Sequence, residues 1–404
     1  MKRIFPFVPF VLLAFVVAAC QEDSPTVPTV GDPQFAKPDC EVDPSHPSCK
    51  DDGGGGGGGD ANYIATDLET RRGNVPPTWA FDVSDDLGNG TVTVAGGTRV
   101  GNQYLQAMTW TVTGTDVVDG PVTLPLVDLA YQDVFAFGIS DNGSYIVGRA
   151  RESSDTAYAD WVRVSAVRWH GGPGAALLPV DEYDTAIALD VNNSGKTVGY
   201  SMRDTEPPVV ATLWNESGVA SPLASPGLEG GSVARGINNQ GHVVGASWDG
   251  DLEQWHAILW PSTGGYCDLG VGYAQDITDD NGDGTVLVAG DWGTPEAYRP
   301  AVWRINPTAP SCSDVVLEHW IMDSGPQTSA WDVRPFGADG WEAVGHDESG
   351  GEQPPLAWRF DGTEITEIQL ANDGRALGIN IDGQIAGDAR VKRRKHAMLW
   401  TPNQ

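Results

Sequence analysis

Residues 234–245 read ARGINNQGHVVG, and residues 256–260, shortly after them, read HAILW. The first phrase recurs with variations: an alanine, a glycine or aspartate two residues later, a turn rich in Asn, Asp and Gly, and a valine-rich strand that closes on glycine. The second phrase, Ala-x-x-Trp or a near copy, follows each first phrase. The paired phrases define repeats one to seven, whose alanines and tryptophans are Ala80 and Trp110, Ala136 and Trp169, Ala188 and Trp214, Ala234 and Trp260, Ala274 and Trp303, Ala330 and Trp358, and Ala376 and Trp400. Seven such pairs predict seven supersecondary units.

Each repeat predicts four short strands. Asn142-Gly143 precedes the β-branched and aromatic run Tyr145–Gly148, and an Asn-Gly pair between apolar runs is a strong hairpin signal because both residues tolerate positive φ. A third strand ends at the repeat tryptophan and a fourth follows it. Successive copies begin 40 to 56 residues apart, which is the size of one propeller blade. After the first 20 residues no stretch shows a sustained apolar period of 3.6 residues, so almost no helix is predicted there.

The seventh repeat lacks its fourth strand, because only residues 401–404 follow Trp400. The segment Tyr63–Leu68 (YIATDL) has the pattern of that missing strand, and its pairing there would remove an open sheet edge. We therefore predict an all-β fold: a seven-bladed β-propeller of four-stranded blades, closed by an N-terminal strand. A β-solenoid or a β-sandwich array is the alternative, but the variable repeat length favours blade loops.

The paired phrases resemble the HAF-type extracellular repeat of secreted bacterial proteins. Repeats three and four carry the resemblance best, for example at Asn192, Gly195 and Gly199. Repeat six departs most, since Arg334-Pro335-Phe336 stands where the turn should begin. The resemblance implies an extracytoplasmic repeat fold. It implies no catalytic residues.

The first residues have the pattern of an export signal. Lys2 and Arg3 precede the apolar run Ile4–Val17, which is short for a membrane span and suits a signal peptide. The run ends at Val17-Ala18-Ala19-Cys20, which resembles a bacterial lipobox and implies lipidation of Cys20. The alternative is an ordinary signal peptide with an incidental cysteine. The following Gln21 resembles the signal for sorting to the outer membrane, so we expect a bacterial cell-envelope protein, an outer membrane lipoprotein facing the periplasm or the cell surface.

Three segments follow from these patterns. Residues 1–19 are predicted to be a lipoprotein signal peptide, and residues 20–60 a flexible tether rich in Pro, Asp and Gly that includes seven glycines at Gly53–Gly59. Such a composition buries too little apolar surface to offset the entropy of ordering the chain. Residues 61–404 are predicted to form the seven-repeat propeller.

The chain is strongly acidic, with 55 Asp and Glu residues against 24 Lys and Arg residues and a formal net charge of −31. This charge opposes electrostatic binding to nucleic acid and to anionic lipid head groups. We therefore expect no nucleic-acid partner, membrane contact only through the lipid on Cys20, and a monomer. The one basic run, residues 392–395, is either a solvated hairpin or a small anion-binding patch.

Four cysteines remain besides Cys20 and allow three pairings. The favoured pairing joins Cys40 to Cys49 and Cys267 to Cys312. The second pair is the less secure prediction, because equivalent strands of neighbouring blades can lie too far apart for a disulfide.

One segment suggests a metal. Asp279, Asn281 and Asp283 stand at alternate positions with glycines between and after them, as in the opening of a calcium loop. The later ligands are missing, since Leu287 and Gly290 occupy the ninth and twelfth positions. A plain hairpin turn explains the same residues. Calcium is thus the one cofactor considered, and no other is predicted.

The tryptophans divide into two groups. Those of the repeats are predicted to be core. Trp248, Trp255 and Trp292 lie outside the repeat register, beside Asp249 and Asp291, and could stack on a sugar while the carboxylates bind its hydroxyls. The alternative is that these aromatics cover blade edges, because tryptophan is usually well buried.

Catalytic sequence motifs are absent: there is no His-Glu-x-x-His, Gly-x-Ser-x-Gly or phosphate-binding glycine loop. We therefore predict a surface recognition or scaffold module for an extracellular glycan or protein ligand. The alternative is a propeller-fold glycosidase or lyase with acidic residues at the central mouth.

Overall fold

A computed structural model describes residues 62–71, 76–100, 104–125, 131–152, 164–170, 174–180, 185–202, 209–225, 231–294, 297–348 and 353–403. The predicted signal peptide, the tether, Cys20, Cys40 and Cys49 lie outside these residues. The described residues contain no α-helix, only one 3₁₀ turn at Cys312–Asp314. The described part of the chain accordingly holds no helix long and apolar enough to cross a bilayer.

The strands, in chain order, are β1 (Tyr63–Asp67), β2 (Thr78–Val83), β3 (Thr91–Val100), β4 (Tyr104–Thr113), β5 (Asp116–Thr123), β6 (Tyr131–Ile139), β7 (Tyr145–Glu152), β8 (Val164–His170), β9 (Ala175–Leu178), β10 (Thr185–Val191), β11 (Thr197–Met202), β12 (Val209–Trp214), β13 (Ala220–Pro222), β14 (Ser232–Ile237), β15 (Val243–Asp249), β16 (Gln254–Trp260), β17 (Cys267–Ile277), β18 (Val286–Trp292), β19 (Arg299–Ile305), β20 (Val316–Ile321), β21 (Thr328–Phe336), β22 (Gly340–Asp347), β23 (Pro355–Phe360), β24 (Ile365–Gln369), β25 (Gly374–Ile379), β26 (Ile385–Val391) and β27 (Arg394–Pro402).

These strands form an all-β propeller in which each repeat contributes an antiparallel meander. Five sheets have four strands: β2 to β5, β6 to β9, β10 to β13, β21 to β24, and β25 to β27 with β1 on the outside. The first strands of consecutive repeats, from β2 to β25 and back to β2, contact one another. They therefore lie innermost, around a central channel.

The N-terminal strand pairs with the end of the chain. β1 runs antiparallel to β27, with Tyr63 opposite Pro402 and Asp67 opposite Met398. Leu68 continues the contact, because its N–H donates to the Ala397 carbonyl at 2.9 Å and its side chain is fully buried. The segment Tyr63–Leu68 thus has the position that its pattern predicted.

The prediction of seven separate four-stranded blades is not met, because repeats four and five share one seven-stranded sheet, β14 to β20. The cause is β17, which continues from one repeat into the next: its first half pairs with β16 and its second half with β18. Gly270 and Gly272 allow the change of direction with φ of 112° and 135°. A Cβ at Gly272 would lie 1.9 Å from the Asp291 carbonyl oxygen, so only glycine permits this close approach.

The repeat tryptophans are core, as predicted. None of the seven is more than 3% exposed: Trp110, Trp169, Trp214, Trp260, Trp303, Trp358 and Trp400. Several indoles also tie one repeat to the one before it. Trp169 Nε1 donates to the Pro125 carbonyl at 2.9 Å, and Trp214 Nε1 donates to the Pro179 carbonyl at 3.1 Å. In these repeats the tryptophan therefore fills the space between sheets and also links neighbouring repeats by a hydrogen bond.

The aspartate or glycine two residues after each repeat alanine forms a second link. Asp82 Oδ2 accepts the Ile139 N–H at 2.9 Å and Asp190 Oδ2 accepts the Ile237 N–H at 2.7 Å, in each case from the next repeat. Glycine fills the alternate positions; at Gly236, for example, a Cβ would lie 2.6 Å from a carboxylate oxygen of Asp276. Seven positions cannot alternate strictly around a ring, and repeats five and six both carry aspartate, at Asp276 and Asp332.

A disulfide joins Cys267 to Cys312, with a Cα–Cα distance of 5.2 Å. This confirms the less secure of the two predicted pairs. The distance is short because Cys267 begins β17 and Cys312 lies in the 3₁₀ turn just before β20, so both are at the outer part of the shared sheet.

Candidate functional site at the loop face of the channel

The residue after each repeat alanine lies at a β-bulge in the first strand, and the same register shift occurs in all seven repeats. A bulge opposes two residues to one and re-aims a side chain. In chain order these residues are Phe81, Phe137, Leu189, Arg235, Gln275, Trp331 and Leu377. Four are apolar, whereas Arg235, Gln275 and Trp331 are consecutive and form what we call the polar arc. The Arg235 guanidinium lies 5.7 Å from the Trp331 ring centroid, although the two belong to repeats four and six.

Two carboxyl groups lie beside the polar arc. Asp291 is 3% exposed and accepts hydrogen bonds from the Ser329 hydroxyl and, at 3.3 Å, from Gln275 Nε2. The Tyr298 hydroxyl donates to Glu348 Oε2 at 2.7 Å. Burial is the main cause that raises the pKa of both carboxyl groups above their ordinary values, and the charge of Glu348 raises the pKa of Asp291 further. We call Asp291, Glu348 and Tyr298 the acid pocket.

A run of aromatic side chains leads to this pocket. Trp248 and Trp255 face each other across β15 and β16, with ring centroids 5.7 Å apart at an angle of 68°. Trp255 stacks on Tyr273, with centroids 5.5 Å apart. All three side chains are partly exposed. Tyr273 lies opposite Asp291 in the pairing of β17 with β18. Burial raises the pKa of Tyr273, the charge of Arg235 lowers it, and the charges of Asp291 and Glu348 raise it. We call Trp248, Trp255 and Tyr273 the aromatic ridge.

Ridge, arc and pocket share one end of the channel. The ridge tryptophans lie next to the hairpin that joins the second and third strands of repeat four. Tyr273, near the start of its innermost strand, is at the same end. We call this end the loop face, and the opposite end, which carries the Asn- and Asp-rich repeat turns, the turn face.

The predicted ligand-binding residues fall in four places. Trp248 and Trp255 come together in the aromatic ridge, and Asp291 lies in the acid pocket. Asp249 holds its own hairpin instead, because its Oδ1 accepts the N–H groups of Asp251 at 2.8 Å and Leu252 at 3.1 Å. Trp292 packs against the core of repeats four and five and against His319, with ring centroids 4.6 Å apart.

The predicted calcium residues lie on the turn face. Asp279 Oδ1 accepts the Asn239 N–H at 2.7 Å, and Asp283 Oδ1 accepts the N–H of Thr285 at 2.8 Å. Asn281 closes the turn through its N–H. Among the described residues, no group of three or more His, Cys, Asp or Glu side chains is arranged to hold a metal ion.

On the turn face, the asparagines of the repeat link each turn to the next one. Asn192 Nδ2 donates to the Asn238 carbonyl at 3.0 Å, and Asn238 Nδ2 donates to the Thr278 carbonyl at 3.0 Å, each bond reaching the next repeat. In repeat six Arg334 replaces the asparagine, and its Nη1 donates to the Ile381 carbonyl of repeat seven at 2.9 Å. These side chains hold the ring of turns together and are not free for a ligand.

In a shallow cleft between repeats two and three, side chains likewise link the two neighbouring repeats. Tyr145 stacks on His170 with centroids 4.3 Å apart, and the Arg168 guanidinium lies over the Tyr145 ring. Arg168 Nη2 donates to the Glu216 carbonyl at 2.9 Å. The cation of this cleft is thus used to join the two repeats.

The sequence analysis missed Arg235, Tyr273, Tyr298, Trp331 and Glu348. The sequence does contain a signal for two of these residues, Arg235 and Trp331. When the seven repeats are aligned on their alanines, the following residue reads Phe, Phe, Leu, Arg, Gln, Trp, Leu, and the polar departure marks repeats four to six. Tyr298 and Glu348 lie next to variable hairpins, where the repeat gives no register.

No family model and no curated protein matches this chain. Solved structures share its fold. The β-propeller domain of the trilobed protease from Pyrococcus furiosus has a TM-score of 0.49 and 11% identity, covering 80% of this chain and 95% of that one. A Hadza microbial sialidase has a TM-score of 0.41 and 8% identity, covering 80% and 66%. Sqt1 from Chaetomium thermophilum, solved with the N-terminus of a ribosomal protein, has a TM-score of 0.41 and 10% identity, covering 85% and 100%. The chain is similar to these propellers in fold alone.

Proposed function

We propose that this protein is an extracytoplasmic recognition propeller that binds a glycan at the loop face of repeats four to six. The observation that carries the proposal is the continuity of the aromatic ridge with the acid pocket. Trp255 stacks on Tyr273, and Tyr273 lies opposite Asp291 of the acid pocket in the pairing of β17 with β18. Binding sites typically combine apolar and aromatic walls with a few convergent polar groups.

A sugar suits this arrangement better than a flat apolar ligand. The ridge offers partly exposed rings to the C–H face of a pyranose, and the arc and pocket offer amide, guanidinium and carboxyl groups to its hydroxyls. Trp and Tyr are amphipathic and lose little conformational entropy on binding, so they are effective anchors. On the other side of the channel the residues at the same bulge position, Phe81, Phe137, Leu189 and Leu377, are all apolar.

We further propose that the seven-stranded sheet counts as two blades that share β17, giving seven blades. The seven equivalent bulges support this count, since two of them fall in that sheet, at Ala234 and Ala274. The pairing of β1 with β27 then completes the seventh blade.

The lipid anchor belongs to the same proposal. The pattern from Lys2 to Cys20 supports export and lipidation, and a tether over residues 20–60 would hold the propeller clear of an outer membrane surface. In this account the lipid on Cys20 provides the membrane contact and the loop face provides recognition.

A screen of the purified protein against immobilised glycans and candidate protein partners tests the proposal. We expect glycan binding that Trp255→Ala abolishes and Trp320→Ala retains. Trp320 is the matched control, because it is also partly buried and packs on Trp341 and Phe360, on the outer strand of repeat five. Binding to a protein partner through another surface, with no glycan retained, would contradict the proposal.

A glycosidase or lyase is the second candidate function. The favouring observation is the pair of carboxyl groups with raised pKa at the channel mouth, because acids poised in this way can transfer protons. The hydrogen bonds of Asp291 favour a binding role over catalysis, because its two carboxylate oxygens accept from Ser329 and Gln275. Product formation from a bound oligosaccharide that Glu348→Gln abolishes without loss of binding would establish the enzyme instead.

A further inference from the structure

The aromatic ridge ends at the hairpin that joins β15 to β16. Trp248 lies opposite Trp255, and Asp249 is the next residue of β15. The Asp249 carboxylate fixes the hairpin, because it accepts the Asp251 N–H at 2.8 Å. The tip then presents the side chains of Asp251 and Glu253, both of which are exposed. Among the described residues, neither of these two carboxylates takes part in a hydrogen bond or an ion pair.

Carboxyl groups lie close to both ends of the ridge. At the outer end, Glu253 precedes Trp255 by two residues, so their Cα atoms are at most about 8 Å apart along the chain. At the inner end, Tyr273 lies opposite Asp291 where β17 pairs with β18. Opposite residues of antiparallel strands direct their side chains to the same face of the sheet, with Cβ atoms about 5 Å apart. The ridge is therefore flanked by acids and not by cations.

Cations are almost absent from this part of the chain. Between Arg203 and Arg299 the sequence has 14 Asp and Glu residues and one Lys or Arg residue, Arg235. The Arg235 guanidinium lies over the Trp331 ring, 5.7 Å from its centroid. Within the described residues, every other cation that lies over an aromatic ring does so away from the ridge. The faces of the ridge are thus left without a cation from the protein itself.

This combination of groups suits a positively charged ligand. An ammonium group is attracted by the face of an aromatic ring and by a neighbouring carboxylate. The Trp248 and Trp255 rings meet at 68° and the Trp255 and Tyr273 rings at 29°, so the ridge offers ring faces of different orientation. One face can carry a sugar ring while an ammonium group on that sugar, or on the next one, approaches the hairpin carboxylates. A neutral glycan would use the rings alone.

We propose that the aromatic ridge selects glycans with free amino groups, whose ammonium groups pair with Asp251 and Glu253 while a sugar ring stacks on Trp255. This inference rests on the proposed glycan-binding function and narrows its ligand class. A lysine-rich peptide is the other cationic ligand to consider. Its ammonium groups stand on flexible stems with no flat ring to stack on tryptophan, so the ridge favours the amino sugar.

The test compares three probes: a linear hexamer of glucosamine, the same hexamer with every amino group acetylated, and hexalysine. Calorimetric titration of the purified full-length protein, at a pH that keeps the amino groups protonated, should show about tenfold tighter binding of the glucosamine hexamer than of its acetylated form. Two exposed ion pairs together supply a preference of about this size. The preference should fall as salt is added, because exposed charges are screened. Hexalysine should bind more weakly than the glucosamine hexamer.

Variants separate the charge from the rings. Asp251→Asn and Glu253→Gln should each reduce the preference for the glucosamine hexamer, and a variant with both substitutions should abolish it. The melting temperature should stay at the wild-type value, since neither carboxylate bonds to the rest of the described protein. Glu364→Gln is the matched control, because Glu364 is an exposed carboxylate in a turn of repeat six; its loss should leave both affinities unchanged. Trp255→Ala should weaken both hexamers.

The outcomes for the inference and for the proposed function differ. Equal affinity of the wild type for the two hexamers, or an undiminished preference in the variant with both substitutions, would overturn the amino-sugar inference and leave glycan binding intact. Hexalysine binding as tightly as the glucosamine hexamer, or failure of both hexamers while other glycans bind, would do the same. Failure of both hexamers and of a wider panel of glycans would overturn the proposed function, and the inference with it.

Discussion

The Tyr63 hydroxyl donates a hydrogen bond to Glu342 Oε1 at 2.6 Å, across 279 residues of chain. Glu342 is completely buried and also binds Arg334 at 2.6 Å and Arg359 at 2.7 Å. Tyr63 lies in β1, which belongs to the sheet of repeat seven, whereas Glu342 belongs to repeat six. The N-terminal strand therefore closes its own sheet and also joins the neighbouring one.

The first prediction concerns this closure. Tyr63→Phe should lower the free energy of unfolding by about 1–3 kcal/mol, because it removes a donor from a buried carboxylate. Deletion of residues 61–70 should lower it much more, since the outer strand of a sheet is lost, whereas deletion of residues 21–58 should change it little. Denaturant unfolding measures all three. Equal tolerance of the two deletions would argue against a closing role for β1.

The second prediction concerns Asp276 and Asp332, the two neighbouring aspartates of the ring. Burial raises the pKa of Asp332 to about 7, and burial together with the charge of Asp332 raises the pKa of Asp276. The charges of Asp82, Asp190 and Asp141 also act on this cluster, and burial raises the pKa values of these three carboxyl groups as well.

The sign of the pH dependence follows from these shifts. Between about pH 4 and pH 7 the native state holds protons that the unfolded chain has released, so the free energy of unfolding falls as pH rises. Denaturant unfolding at pH 5 and pH 8 should show a lower free energy of unfolding at pH 8. Asp276→Asn should reduce this difference, because the variant removes one charge of the pair. Asp190→Asn offers a comparison; it should destabilise the protein, because the Asp190 carboxylate accepts the N–H groups of Val191 and Ile237. An Asp276→Asn variant with an undiminished loss would refute the paired-aspartate explanation.

The third prediction concerns Cys20. In a bacterial host, Cys20→Ser should abolish incorporation of a labelled fatty acid and shift the protein from the detergent phase to the aqueous phase. The reason is that the cysteine sulfur is the atom that the lipobox pattern assigns to lipidation. Cys312→Ser provides the control, since Cys312 lies in the disulfide and has no part in the signal. Equal labelling of the Cys20 variant would exclude the anchor.

Regular parts of the chain could be predicted from sequence because they repeat. Seven copies of one phrase fix the strands, the turns and the buried tryptophans, and the pattern of Tyr63–Leu68 matched a missing strand. The shared sheet could not be predicted, because nothing in Gly270 and Gly272 distinguishes a turn between two strands from a bend within one.

The candidate site was predictable from the sequence only in part, because the fold brings some of its residues together from different repeats. Trp248 and Trp255 are visible as departures from the repeat, and they do come together. Their partner Tyr273 arrives from the next repeat, and Glu348 arrives from repeat six, through the closing of the ring rather than through sequence spacing. Trp292 shows the converse case, since it also departs from the repeat and yet packs into the core.

The most direct test of the central claim measures affinity and stability together for Trp248→Ala, Trp255→Ala and Trp260→Ala. We predict that the two ridge variants weaken binding of the glycan identified in the screen by about 1–3 kcal/mol and retain the wild-type melting temperature within a few degrees. Trp260→Ala should instead lose about 3–5 kcal/mol of stability, because it opens a cavity in the core. If Trp248→Ala and Trp255→Ala lose comparable stability and bind the glycan as the wild type does when folded, the ridge is core and the loop face of repeats four to six is not the binding site.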